Sequence, residues 1–332
     1  MSRLPGIDLA RCAALVLMVI AHVAPSDGPA RILLVSEFLT APLFALLIGV
    51  GAQLGEEAGG PHRARRTLVR AACILLLGLL LEQSRAQVII VLSHLAVLTA
   101  VCIPLARLRS RALAIVLPVV WLSAIALPIL ARTWPSQLVQ LAGGSGPYRF
   151  AAMTAYALAG ILLMRLLRRW EPGPGAALLS GAGALGLFAA LVIAPNLLGL
   201  FPVHAYDGSA AETTGDLVGS CGVLLLCWGA AQLLSRTAGT RRVLALLAAP
   251  GAMSLTLYSG QILLLHLAAV ASGDARDDSW AMLGLLLAAG GVVAALWRAL
   301  APRTVRERGP LEAVVTALER RAAGAPAVPH RP

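Results

Sequence analysis

Lysine is absent from this 332-residue chain, and charge of either sign is scarce: 27 arginines and 16 acidic residues bring the charged fraction to 13%. A soluble domain carries about 25% charged residues, so the chain has too little polar surface to coat a water-soluble body of its size. Aromatic residues are also sparse, at 5%. A nucleic-acid interface is a basic patch on a folded surface, usually with aromatic platforms. Here the arginines sit in short groups between apolar runs, so the net charge of +11 does not point to nucleic acid. The five cysteines, Cys12, Cys73, Cys102, Cys221 and Cys227, form no CxxC pair and no Cys/His metal spacing. Neither a disulfide framework nor a zinc site is indicated; buried structural thiols are.

Hydrophobic sequence fills the space that charge leaves, at 58% of positions. A helix needs about 20 apolar residues to cross the hydrocarbon core. Ten stretches qualify or nearly do: Leu9–Val23, Val35–Leu54, Leu68–Leu81, Val88–Leu105, Ala112–Leu130, Ala151–Leu166, Ala176–Leu197, Leu217–Leu234, Ala252–Ala271 and Trp280–Leu300. The third and fourth are separated only by Glu82-Gln83-Ser84-Arg85. Sorting the connections alternately places 22 arginines on the side of the N-terminus and five on the other. Positive residues mark the cytoplasmic side, so the expected fold is an all-α polytopic bundle of about ten membrane helices with both termini inside. Asp8 in the basic start, and His22 where a cleavage site wants a small residue, point to an uncleaved first span.

Three units are expected: a membrane domain over residues 1–301, an interfacial helix over 302–323 and a disordered tail over 324–332. In the second, Leu311, Val314, Val315 and Leu318 share one helical face. Pro310 opens that helix, and Arg320 and Arg321 close it.

Ionisable residues inside a bilayer are costly and tend to be functional. Asp8 and Arg11, three apart at the inner edge of the first span, fall on one helical face and can pair. His22 lies fourteen residues further, about 21 Å deeper at 1.5 Å per residue. His94 and His266 also fall in the outer halves of their spans, and His204 falls in an outer loop followed by Asp207, Glu212 and Asp216. Together these histidines suggest a polar pocket opening outward. A neutral imidazole serves as a general base near pH 7; His22 is the expected base, oriented by Asp27 or His94. The histidine spacing is not that of a metal site.

At the inner side, Asp8 and Arg11 together with Arg63, Arg65, Arg66 and Arg70 offer a phosphate-binding set, since arginine forks match phosphate geometry. The same charges also serve topology and lipid headgroups. The polar run from Ser254 to Gln261 either lines a pocket or permits close helix contact, and Gly49 and Gly51 suggest tight packing.

Several stretches resemble the YeiB-like family of bacterial multi-pass membrane proteins and the related heparan-α-glucosaminide N-acetyltransferase-like proteins. They are Gly6-Ile7-Asp8-Leu9-Ala10-Arg11, Pro42–Gly49, Gly146-Pro147-Tyr148, Leu255-Thr256-Leu257-Tyr258 with Gln261, and Gly309-Pro310-Leu311-Glu312. Two positions depart from the family pattern: Cys12 stands where glycine is usual, and His22 where the YeiB-like branch often has asparagine. The resemblance implies a bacterial cytoplasmic-membrane protein that moves an acyl group from cytosolic acyl-CoA, a donor substrate and not a resident cofactor, to an acceptor across the membrane. Expected pocket residues are then Tyr148, His204, Tyr258, Gln261 and His266, and expected partners are membrane lipids and a small-molecule acceptor. A transporter, or an inactive accessory protein, would use the same polar residues differently.

Overall fold

The computed structural model describes residues 4–25, 33–60, 62–134, 136–140, 146–273, 278–302, 305 and 307–324. Asp27 and the proline-rich tail lie outside these. Among the described residues the chain is helical, without strands. The principal helices are α1 (Pro5–Val23), α2 (Val35–Ala58), α3 (Arg63–Leu81), α4 (Leu92–Leu105), α5 (Ser110–Thr133) and α6 (Phe150–Trp170). They continue with α7 (Pro174–Leu197), α8 (Ala210–Leu234), α9 (Ala238–Ala248), α10 (Ser254–Ser272), α11 (Trp280–Leu300) and α12 (Pro310–Ala322).

Eight helical stretches are long and apolar enough to cross a membrane: α1, α2, α5, α6, α7, α8, the joined α9–α10 and α11. The other two sequence runs became α3 and α4, which pack on each other. Arg65, Arg66 and Arg70 give α3 a charged first half. The fourth apolar run yields a helix shorter than expected because Val88–Val91 is not helical, and α4 begins at Leu92.

The eighth span, by contrast, starts seven residues before Leu217. Ser209 caps α8 by accepting the Glu212 N–H at 3.1 Å, the serine half of a Ser-x-x-Glu capping box. Glu212 and Asp216 are therefore helical residues of α8 and not part of the outer loop.

The layering follows hydrophobicity. Helices α1, α2 and α6 are the most enclosed, whereas α5, α7 and α11 turn most of their apolar surface outward. On α5, Ile115, Val119, Leu122 and Ile129 are all more than half exposed, with the spacing of one helical face. Such a stripe is the kind of surface that lipid or another protein covers.

At the centre, α2 and α6 touch backbone to backbone. A Cβ on Gly49 would overlap the Ala157 carbonyl, and one on Gly160 would overlap that of Leu46. The tight packing expected of Gly49 is present; Gly51 and Gly260 face open space. Replacing Gly160 by leucine should force the two helices apart, at a cost of about 1–3 kcal/mol or more. A thermal-unfolding midpoint in detergent that stays at the wild-type value would contradict this contact.

The α9–α10 stretch is broken at Pro250-Gly251, where proline cannot continue the hydrogen-bond ladder and Gly251 rests on the Asp8 carbonyl. The break leaves the first N–H groups of α10 without helical acceptors. They find one in the tail helix: Glu312 accepts from Leu255 N at 2.6 Å, Thr256 N at 3.2 Å and Thr256 Oγ1 at 2.6 Å. Arg70 pairs with Glu319 at 2.6 Å, and the Trp297 indole donates to Arg308 O at 2.6 Å. The tail helix thus docks on the bundle through Val315, which is buried, while Val314 and Leu318 stay exposed. Glu312→Ala should remove the cap and lower stability by about 0.5–2 kcal/mol. Denaturant or thermal unfolding reads that loss, and a smaller loss for Glu312→Gln is expected, since its amide oxygen still accepts.

Candidate functional site at the arginine-poor end

The end of α1, the first turns of α2 and α10, the α3–α4 connection, and the segments before α6, α8 and α11 converge on a cavity of about 590 Å³. That lies within the range of small-molecule pockets, about 300–1,000 Å³. His22, Ser36, Glu37, Thr40, Tyr148, Tyr206, Tyr258 and Asp278 contribute its polar wall.

His22 sits in the last turn of α1. Its Nδ1 lies 2.8 Å from the side-chain amide of Gln261 on α10. With Nδ1 engaged, Nε2 is the ring nitrogen left for the cavity, and no partner for it occurs among the described residues. The Nδ1 contact is therefore Gln261 and not His94; Asp27, the other expected orienting residue, lies outside the described residues. Gln261 reaches His22 because the broken helix starts α10 beside Asp8, and seven residues from Ser254 to Gln261 rise about 10 Å toward the end of α1.

The non-helical Ala86–Val91 segment forms part of the wall. Gln87 Nε2 donates to His22 O at 2.7 Å and to Asp278 Oδ1 at 2.9 Å. Tyr148 donates to Ile89 O at 2.8 Å, and the Tyr258 hydroxyl accepts from Val91 N at 3.3 Å. Two tyrosines thus satisfy backbone groups that a longer α4 would have satisfied within its own helix. Burial pushes the Tyr148 hydroxyl up to about 12, so it stays neutral and remains a donor. The Tyr206 hydroxyl is also raised, first by burial and then by the neighbouring Tyr148 and acidic groups.

Behind the cavity lies a polar core that the sequence reading did not assemble. Arg149 and Glu212, 4% and 1% exposed, form an ion pair in which one guanidinium nitrogen, Nη2, donates to both carboxylate oxygens. Glu212 also accepts the backbone N–H groups of Tyr206 at 3.1 Å and Gly208 at 3.2 Å. That fixes Tyr206 in a left-handed conformation, φ +66, and sets its ring edge-on to Tyr148 with centroids 6.4 Å apart. One turn along α8, Asp216 meets the Tyr156 hydroxyl at 3.4 Å. The available signal was the Ser209-x-x-Glu212 spacing, which places both carboxylates inside a membrane helix.

The expected base, His22, and the expected pocket residues Tyr148 and Tyr258 line the cavity, and Gln261 supports His22. His94 is exposed in the first turn of α4, its ring 5.4 Å from that of Tyr148. His266 accepts the Arg85 N–H at 3.0 Å and so holds the α3–α4 connection. His204 is exposed, with its backbone N–H on Asp207. Neither His204 nor His266 is among the lining residues. Sequence reasoning missed Glu37, Tyr206, Gln87 and Asp278, three of them in connections where helical periodicity says nothing.

The inner phosphate-binding set is not one cluster. Asp8 and Arg11 pair with each other at 3.0 Å on α1, which packs chiefly on α2, α8 and the Pro250–Met253 turn. Arg63 pairs with Glu56 at 2.5 Å, and Arg66 donates to Gly59 O at 3.4 Å, both closing the C-terminus of α2. Arg70 belongs to the tail-helix contact, and Arg65 is exposed. Among the described residues no group of His, Cys, Asp and Glu is arranged to hold a metal.

No protein-family model matches the chain, and no curated protein is similar to it.

Proposed function

We propose that the chain is a membrane acyltransferase of the kind its motifs resemble, crossing the bacterial cytoplasmic membrane ten times with both termini inside. Helices α3 and α4 make the third and fourth crossings as a mutually packed hairpin. The observation that carries the catalytic reading is His22: a histidine at the end of a buried helix, held at Nδ1 by Gln261, facing a cavity of substrate size. The arginine distribution supports an outer-face position for that cavity, with the donor entering from the arginine-rich side.

In the proposed reaction, His22 Nε2 takes the proton from an acceptor hydroxyl or amine. The freed oxygen or nitrogen attacks the thioester carbonyl of acyl-CoA, the C–S bond breaks, and the imidazolium returns its proton to the departing thiolate. The products are the acylated acceptor and free CoA thiol. Nε2 acts as a base only if the proton resides on Nδ1, so Gln261 must present its carbonyl oxygen there. Turning the amide by 180° exchanges O and N without altering its shape. It also gives Gln261 Oε1, buried and otherwise without a partner, the donor it lacks.

The test is reconstitution in lipid vesicles with acyl-CoA and a panel of hydroxyl and amine acceptors. Thiol release that depends on acceptor is expected. Solute flux in the absence of acyl-CoA, without thiol release, would replace this reading with the transporter.

A further inference from the structure

The cavity that His22 faces has an acidic and aromatic wall. Glu37 and Asp278 line it together with Tyr148, Tyr206 and Tyr258, and among the described residues no arginine does so. Glu37 stands apart from the other acidic residues described at this end. Glu82 accepts from the Ser93 hydroxyl, Asp207 from the backbone N–H groups of His204 and Ser209, and Asp278 from Gln87. Glu212 is paired with Arg149, and Asp216 meets Tyr156. Glu37, in the first turn of α2, has neither a hydrogen bond nor an ion pair among the described residues. Its side chain is partly exposed, so a molecule in the cavity has access to it.

Two features of this wall suit a cation. Taking a carboxylate partly out of water is costly unless it is paired, and a cation in the cavity supplies the pair. Tyrosine attracts a cation placed over its ring within about 6 Å of the centroid. Tyr148 and Tyr206 stand edge-on with an interplanar angle of 84°, so their faces lie nearly at right angles. We propose that the acceptor carries a cationic group in addition to the hydroxyl or amine that reacts, and is therefore an amino alcohol or a diamine.

The cation is not the reacting group, because an ammonium has no lone pair with which to attack a thioester. Glu37 holds the charge and keeps that nitrogen protonated. The nucleophile is a second, neutral group of the same molecule, placed at His22 Nε2. The two protein side chains belong to different helices, the first turn of α2 and the last turn of α1. A monoamine or a neutral alcohol meets only one of them. This assignment rests on the acyl-transfer reading and adds to it the class of the acceptor.

The experiment uses the full chain in detergent and pairs of probes that match in shape and differ in charge. Choline is compared with 3,3-dimethylbutanol, and ethanolamine with propanol. Each is titrated by calorimetry into the millimolar range without acyl-CoA, then offered as acceptor in the thiol-release assay. Wild type should prefer at least one cation over its neutral counterpart by about tenfold or more. Glu37→Gln, which keeps the shape and removes the charge, should cut that preference about threefold or more and keep the wild-type melting temperature. Equal binding within both pairs, no binding of either cation by folded wild type, or a preference unchanged in Glu37→Gln overturns the proposal. Thiol release with the neutral alcohols alone overturns it too, while leaving His22 as the base. Charge-dependent binding without thiol release from any acceptor has the opposite meaning: it removes the catalytic role of His22 and leaves the cationic ligand in place.

Discussion

Replacing His22 by alanine is expected to abolish acceptor-dependent thiol release while the bundle remains folded. Loss of a general base lowers rates by about 10²–10⁴-fold, the largest effect that any single side chain of the cavity should produce. The structural cost is smaller. Removing the imidazole leaves the Gln261 amide without its partner, about 1–3 kcal/mol, visible as a lowered melting temperature. His22→Asn separates the two effects, since asparagine can still meet the Gln261 amide but cannot act as a base at neutral pH. It should restore most of the stability and none of the activity. Gln261→Ala should lower kcat with little change in KM, because Gln261 positions the base and does not line the cavity. Wild-type turnover in His22→Asn would remove His22 from the reaction.

The largest loss of stability is expected at Arg149. Its partner Glu212 is almost wholly buried, and removing one member of a buried pair strands the other charge at a cost of about 3–5 kcal/mol. Arg149→Met should therefore yield protein that unfolds far below the wild-type temperature or fails to accumulate. The double variant Arg149→Met/Glu212→Gln leaves no stranded charge. It should recover part of the loss but not all, because the Tyr206 and Gly208 N–H groups keep only a neutral amide acceptor in place of the carboxylate. If Arg149→Met and the double variant are equally unstable, the stranded-charge explanation fails.

The two readings of the chain, by sequence and by structure, part company at specific places. Long apolar runs anticipated the eight helical stretches that are long and apolar enough to cross a membrane, because hydrophobicity over about 20 residues is a strong signal and needs no knowledge of neighbours. It failed where tertiary contacts override local pattern. Val88–Val91 reads as the start of a span, yet Tyr148 and Tyr258 hold that backbone in a non-helical course. The start of α8 was missed because Glu212 and Asp216 look like loop residues until Arg149 and Tyr156, about 60 residues away, are brought beside them.

The same contrast holds for the cavity. His22 stood out as an ionisable residue in an apolar run, whereas its partner Gln261 was one of several polar residues in a crowded stretch. Nothing local distinguished it; only the break at Pro250-Gly251 sets its height. The Gly309–Glu312 and Leu255–Thr256 motifs were legible separately as resemblances. Their meeting, with Glu312 capping α10, gives both a physical reason.

The most direct test of the account is sidedness. Wild type is reconstituted in vesicles of defined orientation, with acyl-CoA supplied to one face and a membrane-impermeant acceptor to the other. Transfer should occur when acyl-CoA meets the arginine-rich face, which carries the tail helix, and the acceptor meets the face that bears His22. It should fail when the two are exchanged, and His22→Asn should abolish it. Transfer that is equal in both arrangements, or that survives in His22→Asn, would contradict the assignment of His22 to an outward-facing catalytic cavity.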